Sequence, residues 1–354
     1  MIIPDNNARQ MESKNALGPG TQVKSPSRVY TIVNVLGTGA YGITYLATTQ
    51  DTIRGELGAI NVNVNVTLKE FFMEGRMTRT GDVVNRDRSN DEISAYARCF
   101  YLEADKLSIL SHPNIVNVLE VFVTNNTCYY SMEYLSGGSL SDLIQENDGL
   151  PEAEALKYIK QIGDALSYMH SMKMLHLDIK PANIVFDDNH VAKIIDYGLS
   201  QQYESNGESE SSDGLGAGTP GYASLEQSSK EYGIVFAPTL DVYSLGATYY
   251  KMLTACTPPK AVEILDTGIN TLPLVRKNVS QQSIDAIKAA MQPMVDKRLQ
   301  TVDDFLAMLP LVEDEDDMAS DKAKKKKLGR IILLAGALVI VAIVVLYCLA
   351  EKNP

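Results

Sequence analysis

The sequence predicts an α+β fold of two lobes, followed by a transmembrane helix. Three observations lead to this prediction. Residues 29–135 hold mostly strand-like patterns, residues 136–310 hold mostly helical patterns, and residues 331–350 form an uncharged apolar run. The chain has 354 residues, which is long enough for a two-lobed domain with a large core and a short appendage.

The first lobe is predicted from its alternation of residue types. Residues 1–28 are polar and rich in Asn, Ser, Gly and Pro, which indicates a flexible leader. Strands are expected between residues 30 and 72, because apolar and polar residues alternate from 60 to 69. A charged loop is expected at residues 75–92. A helix should follow at 93–110 and end before Pro113, with two more strands at 116–123 and 127–132.

The second lobe is predicted from helical spacing of its apolar residues. Helices are expected near residue 140, from 151 to 169, and at 240–253, 281–291 and 302–308. Pro151 is expected as a first helical residue, since Glu152 and Glu154 follow it and acidic residues suit the positive end of a helix. Residues 311–330 read as a charged linker.

The apolar run begins at Ile331 and ends at Ala350, and thirteen of its 20 residues are Leu, Ile or Val. A helix of this length spans about 30 Å, the thickness of the hydrocarbon core of a bilayer. A basic run from Lys322 to Arg330 precedes it and only residues 351–354 follow, so the positive-inside bias predicts a single-pass cell-membrane protein with a cytoplasmic domain. The basic run is also expected to contact anionic lipid, although a topology signal would explain it equally well. A buried core helix is the alternative interpretation of the apolar run.

Charge and cysteine content argue against several classes of function. Residues 319–354 carry seven basic and two acidic residues, which leaves 25 basic and 42 acidic residues, a net charge of −17, in the rest of the chain. Such a body should repel a nucleic-acid backbone, so no nucleic-acid partner is expected. Basic protein substrates are compatible with it, but solubility alone would explain the charge. The four cysteines and four histidines have neither disulfide-framework nor zinc-ligand spacing, and no secretory signal is visible.

A glycine-rich segment predicts one side of a phosphate site. Its G-x-G-x-x-G pattern is a weak signal alone, because glycines often make turns. Strand-like residues lie on both sides of it, which favours a hairpin over phosphates rather than the strand-to-helix turn of a dinucleotide fold. The nucleotide-contacting residues expected here and on the next strand are Leu36, Gly37, Thr38, Gly39, Ala40, Gly42 and Thr44.

Lys69 is the candidate cation for the triphosphate. It ends the alternating strand, and no other lysine lies between Lys24 and Lys106. Glu103, in the middle of the helix predicted at 93–110, is expected to form an ion pair that holds the Lys69 amine towards the phosphates. A solvated strand lysine and a surface glutamate are the alternative interpretations.

The segment H-L-D-I-K-P-A-N at residues 176–183 carries the most specific chemistry. Asp178 can orient a substrate hydroxyl and accept its proton, and Lys180 can balance the charge on a phosphoryl group in transfer. Asn183 and Asp196 supply the oxygen ligands that Mg²⁺ prefers, with Mn²⁺ as an alternative. The four residues together predict Mg-ATP as the cofactor.

Together these motifs resemble those of eukaryotic-type (Hanks-type) Ser/Thr protein kinases of the kind found in bacteria, over about residues 29–310. Residues 176–178 resemble the HRD motif, and Asp-Tyr-Gly at 196–198 resembles DFG. Lys180, together with Thr219 in the G-T-P-G-Y segment at 218–222, is the pattern of the Ser/Thr rather than the Tyr kinases. The resemblance implies the protein-kinase fold and transfer of the γ-phosphoryl group of ATP to protein hydroxyls.

The resemblance also implies roles outside the catalytic loop. Met132 would be the gatekeeper, and the backbone of Glu133 and Leu135 would bind adenine. A homodimer that phosphorylates itself in trans is a further expected partner. Three residues are implied to hold the second lobe together, an aspartate that anchors the catalytic loop and a glutamate–arginine pair: Asp241, Glu226 and Arg298.

Leu177 departs from the family pattern. It stands where the family has the arginine that binds an activation-loop phosphate, so switching by one loop phosphate is in doubt.

Two alternative functions remain, a membrane-bound pseudokinase that binds nucleotide without turnover and a small-molecule kinase of related fold. The complete set of Lys69, Glu103, Asp178, Asn183 and Asp196 argues against the first, and the segment at 218–222 argues against the second.

Overall fold

A computed structural model describes residues 14–39, 41–55, 58–87, 91–196, 201–202, 218–228 and 236–311. The chain divides into two compact units, Met1–Leu309 and Pro310–Pro354, and nearly all described residues belong to the first. No helix in the described ranges is long and apolar enough to cross a bilayer. The predicted membrane segment at 331–350 and the basic run at 322–330 lie outside the described residues.

An antiparallel sheet forms the first lobe, as the alternating residues predict. Its order is β1-β2-β3-β4-β8-β7, so the chain runs along the sheet as a meander and returns at the far edge through a hairpin. The period of two in residues 60–69 is confirmed as part of β4. The strands are β1 (Gln22–Lys24), β2 (Val29–Gly39), β3 (Gly42–Gly55), β4 (Gly58–Phe71), β7 (Val118–Thr124) and β8 (Thr127–Glu133).

Part of the predicted flexible leader belongs to this sheet. β1 pairs with the start of β2, and the side chains of Leu17 and Val23 are buried. The apolar residues among the polar ones explain the difference, because each of them removes a side chain from water against the outer face of the sheet. The first lobe therefore begins before residue 29, while residues 1–13 of the leader lie outside the described part.

The loop predicted at 75–92 contains a hairpin instead. β5 (Thr78–Thr80) pairs with β6 (Val83–Asn85) around Gly81, which supplies the left-handed turn at φ 60°. Arg79 of this hairpin reaches the fully buried carboxylate of Glu70 on β4, at 2.6 Å between Nη2 and Oε2. The hydroxyls of Tyr45 and Tyr129 donate to the same carboxylate. A buried charge needs such partners, and sequence spacing gave no sign of them.

The helix of the first lobe is α1 (Asp91–Ser108), which ends two residues earlier than predicted. Its buried residues recur every three or four positions and form one face against the sheet. Phe100 packs between Phe71 and Tyr130, with ring centroids at 5.6 and 5.1 Å. This packing fixes the rotation of α1 and sets Glu103, three residues on, towards β4.

Helices form the second lobe around α5, which is buried on nearly every side and therefore forms the core of the lobe. Pro151 caps α3 rather than opening it. The predicted helices are confirmed, and three short ones, α4, α6 and α7, were not foreseen. The bounds are α2 (Leu140–Asn147), α3 (Glu152–Ser171), α4 (Leu225–Ser228), α5 (Thr239–Thr254), α6 (Ala261–Thr267), α7 (Leu272–Arg276), α8 (Gln281–Ala290) and α9 (Val302–Met308).

Short strands flank the chemical residues of the second lobe. β9 (Met174–Leu175) precedes the segment at 176–183 and pairs with β12 (Gln201–Gln202). β10 (Ile184–Phe186) and β11 (Ala192–Ile194) form a hairpin directly after that segment. Asn183 stands at the start of this hairpin and Asp196 just past its end, and the N–H of Ile195 donates to the carbonyl of Asn183 at 3.0 Å. The hairpin thus brings the two predicted metal ligands side by side.

Candidate active site

The loop that carries Asp178 is anchored from the core of the second lobe. Asp241, fully buried on α5, accepts the backbone N–H groups of His176 at 2.9 Å and Leu177 at 2.7 Å. His170, at the end of α3, contacts the same carboxylate at 2.8 Å. Burial alone would raise the pKa of Asp241, but the bonds and charge from His170 and His176 lower it. The anchoring role implied for Asp241 is therefore present.

Asp178 lies at the centre of a hydrogen-bonded cluster. Its Oδ2 accepts the Lys180 amine at 2.6 Å and the Asn183 amide at 3.1 Å, and its Oδ1 accepts the Thr219 hydroxyl at 2.7 Å. The Lys180 amine also donates to the Thr219 hydroxyl at 2.8 Å. An aspartate, a lysine and an amide therefore converge, as the sequence predicted for residues 178, 180 and 183, and the Thr219 hydroxyl joins them.

Lys69 reaches this region from the first lobe. Its Nζ lies 3.0 Å from Oδ1 of Asp196, and Thr44 stands opposite it in the β3–β4 register. Burial opposes the charged amine, but Tyr130, Asp196 and Glu103 outweigh it and raise the pKa of Lys69. Lys69 is thus a permanent cation at the site. Its ion pair here is with Asp196, whereas Glu103 acts on its charge from nearby, so direct pairing with Glu103 stays a prediction.

Asn183 links the Asp178 cluster to the segment that carries Asp196, because its carbonyl accepts the N–H of Ile195 at 3.0 Å. Its amide nitrogen donates to the backbone and side chain of Asp178, which turns its acceptor oxygen to other partners. His176 is buried beneath the cluster, and burial lowers its pKa even though Asp241, Asp178 and Asp196 act against it. An uncharged His176 can accept the backbone N–H of Asp178 on its Nδ1, at 3.3 Å, and so supports the loop.

The oxygen donors of Asn183 and Asp196 suit Mg²⁺, which takes hard ligands and retains several waters. Among the described residues, no group of three or more His, Cys, Asp or Glu could hold a metal alone. The protein thus offers two neighbouring ligands, and phosphate oxygens would supply the others. This is the donor set expected of a metal that enters together with a nucleotide.

The predicted nucleotide edge is built on strands of the first lobe. Gly39 pairs with Gly42 across the β2–β3 turn, and Ala40 lies outside the described residues. A Cβ on Gly42 would lie 2.7 Å from the carbonyl oxygen of Glu70, so only glycine fits there. Leu36, Gly37 and Thr38 lie on β2 before this turn. Their contacts with a nucleotide stay predictions.

The segment between the lobes carries the implied adenine edge. Met132 is buried on β8, and Leu135 follows the end of that strand and is half-buried. The Glu133 carboxylate accepts the Asn117 N–H at 2.8 Å and the Lys193 amine at 2.9 Å. The sequence gave no sign of this clamp, since Asn117 precedes β7 in the first lobe and Lys193 lies on β11 in the second. It holds Glu133 and so fixes the backbone beside Met132.

The glutamate–arginine pair implied at 226 and 298 is present. Arg298 binds both carboxylate oxygens of Glu226, at 2.7 and 3.1 Å, and lies over the ring of Tyr243 at 5.2 Å. Its remaining donors bond the carbonyls of Thr239, Gln292 and Pro293. The pair joins α4, next to the segment at 218–222, to the end of the lobe.

Leu177 fills an apolar cluster where the family has a charge. Its side chain is buried with Leu175, Phe236 and Leu240, although its backbone is left-handed at φ 69°. Gln227 donates to its carbonyl at 2.7 Å. The cluster joins the catalytic loop to the segment before α5 through apolar contacts, which need no phosphate. Tyr197, Gly198 and the serines of residues 203–217 lie outside the described residues.

Replacing Leu177 with arginine, the family residue, is expected to lower the free energy of unfolding by about 2–4 kcal/mol. The reason is that a larger, charged side chain would enter an apolar cluster. Leu177→Met, which conserves volume, should cost less than about 1.5 kcal/mol. Urea unfolding of both variants and the parent would check this. Equal stability of the arginine and methionine variants would show that the cluster does not exclude charge.

The sequence was compared with protein families and with known proteins, and the matches are to protein kinases. The family description "Protein kinase domain" matches residues 82–309. Serine/threonine-protein kinase cds1 of Schizosaccharomyces pombe is 27% identical over 78% of this chain and 57% of its own length. A probable serine/threonine-protein kinase of Clostridium perfringens is 29% identical over 64% of this chain and 33% of its own. The hormonally up-regulated neu tumor-associated kinase of Mus musculus is 33% identical over 54% of this chain and 27% of its own.

Two features of these matches matter for the site. The matched family range begins after the glycine segment and Lys69, so the geometry of the first lobe is what connects them to the catalytic loop. The matched regions cover about half or less of the length of most of these relatives. The relatives come from fungi, animals and bacteria, so the bacterial type of the resemblance stays a prediction.

Proposed function

Because the chain belongs to the protein kinase domain family, we propose that it transfers the γ-phosphoryl group of Mg-ATP to serine and threonine hydroxyls of proteins. The observation that carries this proposal is the meeting of Lys69 and Asp196 with the cluster around Asp178. Lys69 comes from the first lobe and Asp196 from the second. Asp196 is held beside the Asp178 cluster because the N–H of its neighbour Ile195 donates to the carbonyl of Asn183, whose amide donates to Asp178. The Ser/Thr kinases among its relatives support the choice of acceptor.

Asp178 would orient the attacking hydroxyl and take its proton. The Thr219 hydroxyl already donates to this carboxylate at 2.7 Å, which is the bond that a substrate serine would make. Lys180, which contacts both Asp178 and Thr219, would neutralise charge that develops on the transferred group. Positioning and charge balance are the main contributions a protein makes to phosphoryl transfer.

The nucleotide would be held from the other side. Asn183 and Asp196 would hold Mg²⁺, which when bound balances the charge of phosphate oxygens. The raised pKa of Lys69 keeps its amine charged for the same phosphates. The hairpin at Gly39–Gly42 would lie over them, because its glycines leave the backbone accessible.

The test is incubation of the purified full chain with Mg²⁺ and ATP labelled on its γ-phosphate. Three acceptors would be offered in parallel: histone as a basic protein, casein as a second protein, and free amino alcohols. We expect label on serine and threonine of the proteins. Nucleotide binding without transfer would replace the proposal with a pseudokinase, and label on the amino alcohols alone would replace it with a small-molecule kinase.

We further propose that residues 331–350 tether this activity to the cell membrane, with the catalytic domain in the cytoplasm. The support is the uncharged apolar run and the basic residues at 322–330 before it. Deletion of residues 331–354 should move the protein from the membrane fraction, resistant to alkaline carbonate, to the supernatant. Replacing the basic residues at 322–330 with glutamine should leave it in the membrane but weaken contact with anionic vesicles. A full chain that carbonate extracts would refute the tether.

A further inference from the structure

Two strands of the first lobe extend beyond the sheet as a ribbon. β3 and β4 pair along their whole length, from Gly42 opposite Phe71 to Gly55 opposite Gly58. β2 pairs with β3 only as far as Thr48, and β8 pairs with β4 only from Val66. Residues 49–55 and 58–65 therefore have one strand partner each, namely the other, among the strands that the structure describes.

The two outer edges of this ribbon differ in charge. The β3 edge carries Asp51, which pairs with Arg28 at 3.6 Å. The β4 edge, residues 59–65, reads A-I-N-V-N-V-N and carries neither charge nor proline. Ile60 is 63% exposed on it. Edge strands of natural proteins usually carry a charge, a proline or a bulge that prevents pairing with another chain. Of the two edges of this ribbon, the β3 edge carries charge, whereas the β4 edge has neither charge nor proline.

The β4 edge is complementary to itself. In an antiparallel pair, residues directly opposite each other point to the same face of the sheet. A two-fold axis at Val62 would place Val62 against its own copy and Ile60 against Val64. Asn61 would then face Asn63, so apolar residues meet on one face and amides on the other. A slip by one residue would set asparagine against valine throughout, so the alternation excludes odd shifts. Among the even shifts, the axis at Val62 pairs all seven residues of 59–65.

We propose that residues 59–65 of β4 pair with the same residues of a second copy of this chain and so form a homodimer. Two chains of net charge −12 repel each other over most of their surface, and this uncharged edge is where their approach costs least. In this dimer the β4 edge of each chain is paired with that of the other, and the charged β3 edges lie outside. No β4 edge is left to bind a third chain, so the assembly is limited to two chains. The complementarity of this edge to itself, with valine and isoleucine opposite one another and asparagine opposite asparagine, is what favours a second copy as the partner.

The dimer would give the expected trans-autophosphorylation a physical basis, because it holds two active sites in one particle. The inference goes beyond the proposed function and does not depend on it, since strand pairing requires no nucleotide. An interface of seven residues per chain is small, so we expect a weak dimer that forms at micromolar concentration.

The test uses the full chain in a mild detergent. Val62→Cys places one thiol on the proposed axis, where opposite Cα atoms are about 4.5–5.5 Å apart and within reach of a disulfide. Gln50→Cys on the β3 edge is the matched control. Under mild oxidation, we expect a covalent dimer from the first variant and only the parental background from the second. Dimerisation through residues 331–350 would not produce this difference.

A second pair of variants tests the energy of the contact. Val62→Lys should weaken dimerisation at least about ten-fold, because two lysines would meet on the axis. Gln50→Lys on the other edge should leave it unchanged, and circular dichroism would confirm that both variants fold. Equal cross-linking at positions 62 and 50, or equal dimerisation of the two lysine variants, would overturn the proposal. The proposal would also be overturned if the Val62→Cys variant, isolated from cells, were cross-linked at position 62 to a different protein rather than to a second copy.

Discussion

Replacing Asp178 with alanine is expected to lower the rate of phosphoryl transfer by roughly 10³-fold while leaving ATP binding nearly unchanged. The carboxylate accepts the hydroxyl of Thr219 and the amine of Lys180, and alanine can accept neither. The proposed metal ligand Asp196 and its partner Lys69 keep their contact in the variant. The loss should therefore appear in kcat and not in the KM for ATP.

Single-turnover transfer and equilibrium nucleotide binding would measure the two effects separately. Asp266→Ala, an exposed aspartate on α6, is the matched control and should retain the parental rate. Lys69→Ala should also abolish measurable transfer, but through weaker binding of the phosphates. Retained transfer in both Asp178→Ala and Lys69→Ala would refute the roles proposed for these residues.

Replacing Arg298 with methionine is expected to lower the free energy of unfolding by about 3–5 kcal/mol. The change would leave Glu226 buried without its counter-charge and would leave the carbonyls of Thr239, Gln292 and Pro293 without their donor. Breaking one side of a buried pair costs more than the pair contributes, because the remaining charge cannot reach water. Arg276→Met, at an exposed position on α7, should change stability by less than about 0.5 kcal/mol.

Denaturant unfolding would measure these values, and a double variant would identify the cause. If the uncompensated charge of Glu226 is what destabilises the protein, Glu226→Gln combined with Arg298→Met should be more stable than the sum of the single changes allows. Additive losses would mean that the lost carbonyl bonds, rather than the ion pair, account for the effect.

Local sequence was sufficient wherever the chemistry lies within a few residues. Asp178, Lys180 and Asn183 belong to one short loop, and their spacing alone predicts that they meet. β4 was predicted for a similar reason, since a period of two is a local property of an extended chain. α9 was predicted with its bounds, because the helical spacing of apolar residues is also a local property of the chain.

Contacts between distant segments could not be predicted in this way. The hairpin at 78–85 reads as a charged loop, because Arg79 is stabilised by Glu70 on another strand. The clamp of Lys193 and Asn117 on Glu133 joins three separate elements. Leu177 was recognised as a departure, but its burial against Phe236 brings together two residues that lie 59 positions apart in the sequence. In each case the partner is set by the packing of the lobes and not by the neighbouring sequence.

The sequence by itself determined which atoms are available for chemistry: the carboxylates, amines and amide that a phosphoryl-transfer site requires. The tertiary structure alone decided which of these atoms meet, as in the contact of Lys69 with Asp196 across 127 residues of chain. It also decided which edge, among the strands that the structure describes, has no neighbouring strand. The physical reason is that residue types act locally, whereas burial and pairing arise only when separate segments exclude water together.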